Sequence, residues 1–381
     1  ENADLQDDTM GLIKLESVDG DLLGVVVNYA MHGTVLSADE PVLSTDAPGA
    51  VEDGVEAALN DEALVLYLQS WAGDMSPETP TSHFTGEGHD LRGAYAELRA
   101  IAAEAAALVV PALDDIATTA DPTLDIVTRP VPFDNALINP DGSFDDYPSG
   151  GIYCMSSEQN CGPDAAPFTP AELTCVSIPE EFSVSWTLLS AARIGDLGLV
   201  TLPGEPVTSI GTELRARARE ESGLEEVFVI GYGQSYLSYL LHPDDFFMGG
   251  YEGASCLMGP GFGQFLVDNG VALASHLVDR TAPLLNPAPA LETAEASLTY
   301  DALTWEVAEG DAAILSQPTK VDGVWVMTWR GGDPAADQPR VTIERLTDEV
   351  WGQATYPSGR LIDSRGPEIE LSLTTEPPYE E

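Results

Sequence analysis

The strongest constraint on the fold is a strand–helix–strand stretch in the second half of the chain. An apolar strand is predicted at 197–202, and a helix is predicted to begin near Pro206, where the missing N–H costs nothing. A second apolar strand is predicted at 227–230. This alternation indicates an α/β domain, and open α/β sheets place their chemistry at turns that follow strands. Glu205 occupies such a turn.

The second strand runs into a loop rich in glycine and tyrosine. This loop carries Tyr232, Tyr236, Tyr239 and Tyr251. A carboxylate from Glu205 and several phenols, converging from two neighbouring strand ends, could form half of a metal site. The alternative is a capping glutamate above an aromatic core, since structural residues outnumber ligands at any one position. The residues alone leave both interpretations open.

The charge of the chain excludes several kinds of partner. Among 381 residues, 64 are Asp or Glu and only 15 are Lys or Arg, giving a net charge of −49. Such a surface argues against binding nucleic acid or anionic membranes electrostatically. No apolar run approaches the roughly 18 residues that a membrane helix needs. The first nine residues are polar rather than a signal peptide, so we expect that residues were removed before Glu1.

The four cysteines are Cys154, Cys161, Cys175 and Cys256, and the first three lie in one irregular stretch. An even number of cysteines in this acidic chain suggests an exported protein, secreted or held at the cell surface or in the periplasm, with a disulfide inside the 154–175 group. Four cysteines allow three pairings, so the connectivity stays open. A zinc site made of cysteines is disfavoured, because no CxxC motif occurs.

The first part of the chain offers two more candidate positions. A hairpin is predicted from strands 11–15 and 22–29, and the second, apolar throughout, should be central and end near His32. That histidine is either a metal ligand or a core residue bonded to the backbone. Another buried strand, 63–69, leads to a glycine-containing turn that holds Ser76 at the carboxyl edge of the sheet. The turn is not a GxSxG elbow, so an α/β-hydrolase triad is disfavoured.

Other segments yield simpler predictions. Asp46 is predicted to cap a helix at 49–60. Residues 134–180 are predicted to form a long irregular insertion. Within it, oxygen side chains recur at alternate positions as in a short calcium loop, although the distal glutamate is missing. These positions are Asn139, Asp141, Ser143 and Asp145.

The rest of the chain completes a two-domain prediction. Strands are predicted at 124–133 and 182–194, and a helix at 262–279. Residues 284–292 are Pro-rich and indicate a linker. Alternating strands within 293–381 indicate a small β-sandwich. These strands are predicted at 297–300, 323–329, 340–346 and 369–373.

Four segments, in this order along nearly the whole chain, resemble the neutral (non-lysosomal) ceramidase family. They are Asn28-Tyr-Ala-Met-His32 followed by Leu43-Ser-Thr-Asp46; Gly73-Asp-Met-Ser76-Pro77; Pro203-Gly-Glu205-Pro-Val-Thr; and Tyr236-Leu-Ser-Tyr239 with Tyr251-Glu-Gly-Ala-Ser255. The resemblance implies an α/β catalytic domain with a mixed β-sheet at 1–283, plus a C-terminal immunoglobulin-like β-sandwich at 293–381.

The resemblance also implies a zinc amidase that cleaves the N-acyl bond of ceramide to a sphingoid base and a fatty acid. His32, Glu205 and Tyr239 match positions that bind zinc in the family. Ser76 matches a serine described there as catalytic, and Tyr251 matches a tyrosine that can hydrogen-bond the developing oxyanion. Zinc would activate water and polarise the acyl carbonyl.

One family feature is missing. The family carries a further zinc histidine in a segment before the one that matches the start of this chain, and nothing here matches it. We therefore expect an N-terminal companion fragment or second chain to supply that ligand. A metal-poor subunit with a binding or structural role in an extracellular assembly is the alternative. A hydrolase with the same chemistry but acting on non-lipid amides or esters is a third hypothesis.

Overall fold

The computed structural model describes most of the chain in two compact units. The described residues are 9–36, 44–60, 62–77, 91–144, 146, 152–156, 174–179, 184–286, 313–321, 324–330, 341–347, 349–364 and 369. The first unit comprises Glu1–His32, Leu66–Pro77 and Asp114–Glu292. The second unit comprises Gly33–Val65, Glu78–Leu113 and Thr293–Glu381.

The described residues form both helices and strands. The helices are α1 (Asp46–Ala58), α2 (Leu91–Ala112), α3 (Asn135–Ile138), α4 (Thr208–Ser222), α5 (Pro243–Met248), α6 (Gly250–Ser255) and α7 (Phe262–Val278). The strands are β1 (Gly11–Glu16), β2 (Leu22–Tyr29), β3 (Leu64–Gln69), β4 (Leu124–Pro132), β5 (Ile152–Met155), β6 (Thr174–Ser177), β7 (Trp186–Ile194), β8 (Leu197–Thr201), β9 (Glu205–Pro206), β10 (Glu226–Ile230), β11 (Tyr239–Leu240), β12 (Ala313–Val321), β13 (Val324–Arg330), β14 (Glu344–Thr347) and β15 (Val350–Gln353).

The main sheet of the first unit is mixed, with strand order β10-β8-β7-β4. β10 and β8 are parallel, so both carboxyl ends lie at the same edge. β8 pairs antiparallel with β7 through a turn at Gly195, and β7 pairs antiparallel with β4. The prediction of a mixed α/β sheet is therefore confirmed, together with the two apolar strands that flank α4.

A second sheet has the order β1-β2-β3, and the apolar strand β2 is central as predicted. This sheet joins the main one at β10. The Gly231 N–H donates to the Gln69 carbonyl oxygen at 3.1 Å. The Asn28 side-chain amide donates to the carbonyl oxygens of both Leu68 and Val229. The ends of β2, β3 and β10 are thus fixed together by backbone hydrogen bonds and by the Asn28 side chain.

Helices α4 and α7 pack against each other, and α7 also packs on β7. Their apolar faces recur at helical spacing and close over the main sheet. Fully buried residues of these two helices are Ile210, Leu214, Ala218, Phe262, Leu266, Val267, Leu273 and Ala274. On the outer face, Arg215 donates to the Glu226 carboxylate at 2.9 Å and ties α4 to β10.

The start of α4 differs from its prediction. The helix begins at Thr208, two residues after Pro206, because Glu205 and Pro206 form the short strand β9. The Glu205 N–H donates to the Ser238 carbonyl oxygen at 2.9 Å, and β9 runs parallel to β11. A two-residue strand leaves no periodic signal, so only the pairing reveals it.

The long insertion contains a short hairpin rather than irregular chain alone. β5 and β6 pair antiparallel, and a disulfide joins Cys154 to Cys175 across them. The predicted disulfide within this group is confirmed, whereas Cys161 lies outside the described residues. The Cys256 thiol is buried and not disulfide-bonded.

The calcium motif folds as a turn in its described part. The Asn139 side-chain oxygen accepts a hydrogen bond from the Phe144 N–H at 3.0 Å. The Asp141 carboxylate accepts from the Ser143 N–H at 2.9 Å. Both oxygens therefore already serve the local backbone, and Asp145 lies outside the described residues. The calcium site stays a prediction.

In the second unit, α1 packs on α2, and the predicted cap is wrong. Asp46 is the first residue of α1 and has a positive φ of 51°; Thr45 occupies the N-cap position. The Asp46 carboxylate accepts instead from the N–H groups of Val35 and Leu36, each at 2.9 Å. It therefore anchors the preceding loop, and its Oδ1 also accepts from the N–H of the next residue, Ala47, at 2.6 Å.

The C-terminal part of the second unit shows two antiparallel pairs, β12–β13 and β14–β15. An immunoglobulin-like sandwich is not confirmed by these pairs, and the predicted strands 297–300 and 369–373 fall largely outside the described residues. Arg360 forms ion pairs with Asp53 and Glu56 of α1 within this unit. The proposed domain boundaries stay predictions. No helix in the described part of the chain is long and apolar enough to cross a bilayer.

Candidate active site

Glu205 and Tyr239 are brought side by side by the pairing of β9 with β11. They are register partners in this parallel pair, so their side chains project from the same face. The strands can approach because residue 204 is glycine. A Cβ at Gly204 would lie 2.3 Å from the Ser238 carbonyl oxygen, a distance that real structures do not tolerate. The glycine in Pro-Gly-Glu has no side chain, so it allows the close strand pairing that places the Glu205 carboxylate beside Tyr239.

His32 reaches the same place from the end of β2. The backbone N–H of His32 donates to the Met75 carbonyl oxygen at 2.8 Å, and this bond fixes His32 to the loop after β3. That loop is in turn bound to β9, because the Gly73 N–H donates to the Pro206 carbonyl oxygen at 2.9 Å. As a result, His32 Nε2 lies 3.4 Å from Glu205 Oε2.

The loop after β3 is also joined to α4. Asp74 Oδ1 accepts from both the N–H and the hydroxyl of Thr208, each at 2.7 Å. The carboxylate thus satisfies the first N–H of α4 and complements the positive end of its dipole. Asp74 was not singled out in the sequence, because its partner lies 134 residues away.

Phenols surround the Glu205 carboxylate, and the side chain of this residue is 9% exposed. The Tyr236 hydroxyl donates to Oε1 at 2.5 Å. Tyr232 and Tyr239 lie close enough to the carboxylate for its charge to act on their hydroxyls. Burial and the Glu205 charge raise the pKa of Tyr236 to about 12 and raise the pKa of Tyr232 and Tyr239 further still. Because their pKa values are raised, these phenols are neutral and can act as hydrogen-bond donors to the Glu205 carboxylate.

Tyr251 lies on α6 beside this cluster. Its ring meets the Tyr239 ring edge-on, with centroids 5.6 Å apart and an interplanar angle of 82°. The Tyr251 side chain is 66% exposed, so its hydroxyl is accessible to a bound molecule. Ser76 is exposed and directly follows the Met75 contact with His32. Among the described residues, no hydrogen bond joins the Ser76 hydroxyl to His32, Glu205 or Tyr239.

Comparison with known proteins bears on this arrangement. No protein-family model matches the chain. Sequence similarity links it to a neutral ceramidase of Mycobacterium tuberculosis, with 38% identity over 69 residues, and to one of Pseudomonas aeruginosa, with 33% over 99 residues. Neutral ceramidase B of Dictyostelium discoideum is 35% identical over 106 residues. These segments cover 18%, 24% and 26% of this chain.

Solved structures give the wider match. A ceramidase described as complexed with C2 superposes with a TM-score of 0.68 over 93% of this chain and 63% of its own, at 19% identity. A neutral ceramidase from Pseudomonas aeruginosa gives 0.58 over 75% of this chain and 49% of its own, at 21% identity. The chain resembles the neutral ceramidases in sequence and in fold. Its aligned segments span only 11% to 15% of the curated ceramidases' own length.

Of the residues that the ceramidase resemblance pointed to, three converge. His32, Glu205 and Tyr239 come from three separate strand ends and meet at Glu205. Tyr251 contacts Tyr239. Ser76 is connected to the group through the preceding residue, Met75, whose carbonyl oxygen accepts the backbone N–H of His32. All five lie in the first unit. Their roles stay predictions, since a likeness at 19–21% identity concerns the fold.

The donor set fits a zinc ion by its chemistry. Imidazole, carboxylate and phenolate are acceptable zinc ligands. In a tetrahedral shell with bonds of about 2.0–2.1 Å, neighbouring ligand atoms lie roughly 3.3 Å apart. The observed separation of 3.4 Å between His32 Nε2 and Glu205 Oε2 suits that spacing. Within the described residues, no three His, Cys, Asp or Glu side chains gather. The predicted zinc site therefore depends on Tyr239 as its third donor.

Sequence reasoning placed Tyr232 and Tyr236 among the phenols near Glu205 but assigned neither a role of its own. Nothing in their spacing separates a ring that touches Glu205 from one that faces solvent. Their placement depends on a loop with positive φ at Tyr232, Gln234 and Ser238. None of these is glycine, so no residue type signals that backbone in advance.

Proposed function

We propose that this chain belongs to a zinc-dependent hydrolase of the ceramidase type, which cleaves the N-acyl bond of ceramide or a related lipid amide. The supporting observation is the meeting of His32, Glu205 and Tyr239 at one edge of a ceramidase-like fold. Sequence similarity to three neutral ceramidases supports the substrate class.

In this proposal, His32, Glu205 and Tyr239 hold zinc. Bound zinc would lower the pKa of a coordinated water to about 7 and would polarise the acyl carbonyl. Glu205 would balance the cation's charge, and it already accepts a hydrogen bond from Tyr236, so it is a poor free base. A companion fragment that supplies a further histidine would complete the ligand set implied by the resemblance.

The remaining residues act on the substrate. The exposed Tyr251 hydroxyl donates a hydrogen bond to the oxygen of the acyl carbonyl as negative charge develops there, a role worth on the order of 3 kcal/mol. The Ser76 hydroxyl positions the scissile amide or the attacking water. We assign Ser76 no nucleophilic role, since His32, whose backbone N–H bonds to the neighbouring Met75, is a zinc ligand in this proposal and not a free base.

The metal-poor alternative has one observation in its favour. Glu205 is satisfied without any cation, because Tyr236 donates to one oxygen and His32 Nε2 lies near the other. A buried carboxylate with such partners is stable as a structural element. The two proposals differ in whether purified protein holds zinc in stoichiometric amount.

The deciding experiment measures zinc content and hydrolysis of a short-chain ceramide together. Purified protein is expected to contain about one zinc per chain, and His32→Ala is expected to lose both the metal and the activity. The matched control is His276→Ala, a histidine on α7 whose Nδ1 lies 2.9 Å from the Ala282 carbonyl oxygen. Hydrolysis that survives in His32→Ala, or protein without zinc that retains activity, would refute the enzyme proposal.

A further inference from the structure

The two oxygens of the Glu205 carboxylate have different neighbours. Oε1 accepts the Tyr236 hydroxyl at 2.5 Å. Oε2 lies 3.4 Å from His32 Nε2. Because the Tyr236 hydroxyl occupies Oε1, Oε2 is the carboxylate oxygen that faces His32. The surroundings therefore favour binding through one oxygen over binding through both.

A second tyrosine faces the other candidate ligand. The Tyr232 hydroxyl oxygen lies 3.4 Å from His32 Nδ1. When Nδ1–H donates to this oxygen, Nε2, which faces Glu205, keeps its lone pair for a metal. The Tyr232 and Tyr236 rings stack nearly parallel, with centroids 6.1 Å apart and an interplanar angle of 9°. One stacked pair thus contacts both His32 and Glu205.

The backbone keeps this pair in place at some energetic cost. Tyr232 has a φ of 56°, a left-handed conformation that is unfavourable for a residue other than glycine. Its N–H donates to the Gly204 carbonyl oxygen at 2.8 Å, next to Glu205 itself. The neighbouring Gly233 N–H donates to the Leu202 carbonyl oxygen at 2.9 Å. The strained residue is therefore held by the same turn that carries the carboxylate.

We propose that Tyr236 and Tyr232 are positioning residues, which orient Glu205 to bind zinc through Oε2 and His32 to bind it through Nε2. This inference rests on the proposed function. A purely packing role explains the pair less well, because Tyr232 is 40% exposed and Tyr236 is 58% exposed. Both residues keep a large exposed fraction, whereas their hydroxyls reach His32 and Glu205.

The test uses Tyr236→Phe, which removes one hydroxyl and keeps the stacked ring. The probes are zinc alone, measured by chelator competition, and cobalt(II) alone, followed by its visible absorption spectrum. Loss of a partner to a metal ligand typically weakens metal binding 10–100-fold, and we expect that range here together with an altered cobalt spectrum. With saturating zinc, kcat should fall while KM changes less than about twofold, since Tyr236 is assigned no substrate contact.

Two further variants sharpen the result. Tyr232→Phe should weaken zinc binding in the same direction but less, because its contact with His32 is longer. The matched control is Tyr153→Phe on β5, since none of the described hydrogen bonds joins the Tyr153 hydroxyl to His32 or Glu205. It should leave the zinc affinity and the cobalt spectrum unchanged.

The outcomes separate this inference from the proposed function. Wild-type protein that binds no zinc would refute the proposed function. Wild-type protein that binds zinc, while Tyr236→Phe binds it equally tightly with the same cobalt spectrum, would refute only the positioning role. A lowered unfolding temperature of metal-free Tyr236→Phe, with unchanged zinc affinity, would likewise show that the tyrosine is merely structural.

Discussion

Replacing Asp74 with alanine tests whether the loop after β3 is anchored by the first turn of α4. Asp74 Oδ1 accepts two hydrogen bonds of 2.7 Å from Thr208, a residue that is 1% exposed. Losing the cap costs about 1 kcal/mol, and losing the charge at the helix N-terminus costs about 0.5 kcal/mol. Leaving the Thr208 hydroxyl without its acceptor costs about another 1 kcal/mol. We expect Asp74→Ala to lower the free energy of unfolding by about 2–3 kcal/mol.

The assay is urea unfolding followed by tryptophan fluorescence. Trp71 is a suitable reporter, because it is 2% exposed and packs against Gly211 of α4. Asp74→Asn keeps an oxygen acceptor and loses only the charge, so it should cost about 0.5 kcal/mol. The control Asp196→Ala removes a carboxylate that is 70% exposed and should cost less than about 0.5 kcal/mol.

The result that would refute this reasoning is specific. If Asp74→Ala unfolds at the same urea concentration as Asp74→Asn, the two hydrogen bonds to Thr208 contribute nothing measurable. The loop that carries Ser76 would then be held by its backbone contacts to Pro206 and His32 alone.

Three further predictions concern stability. Arg360→Met leaves the buried Glu56 without its ion-pair partner and should cost the second unit about 3 kcal/mol in urea unfolding; a loss below about 1 kcal/mol would contradict this. Burial alone would raise the pKa of Glu226, but hydrogen bonds and arginine charges lower it below 4.5. Its ion pair therefore stabilises the fold above about pH 4.5 and is lost on acidification, so Glu226→Gln should flatten the dependence of unfolding free energy on pH between about 3 and 5. Reducing the disulfide that joins Cys154 to Cys175, separated by 21 positions, should cost about 3 kcal/mol, and an unchanged unfolding midpoint in reductant would contradict this.

The regular elements of the first unit were predictable because their signals are local. The strands β8 and β10 are continuous apolar runs, and α7 shows apolar residues at helical spacing. The clustered cysteines also predicted a disulfide within 154–175, although not the strand pair that it joins. Asp46 shows the limit of such reasoning, because a residue with good capping chemistry binds the loop at Val35 instead.

The candidate site was predictable as a set of residues but not as an arrangement. Family-like motifs pointed to His32, Glu205 and Tyr239, and the fold brings these three together. The orienting contacts from Tyr236 and Asp74 were not predictable, since each partner lies more than 30 residues away in the chain. Two-residue strands such as β9 and β11 form only when distant segments pair, so they leave no periodic pattern.

The sequence by itself therefore determined the acidic surface, the apolar strands and the identity of the donor groups, because these depend on composition and short-range pattern. Tertiary structure alone decided which donors meet, which oxygen of Glu205 is engaged and which loop fixes His32. Those contacts depend on strand register and on close approach at Gly204, and no local preference of the chain encodes either.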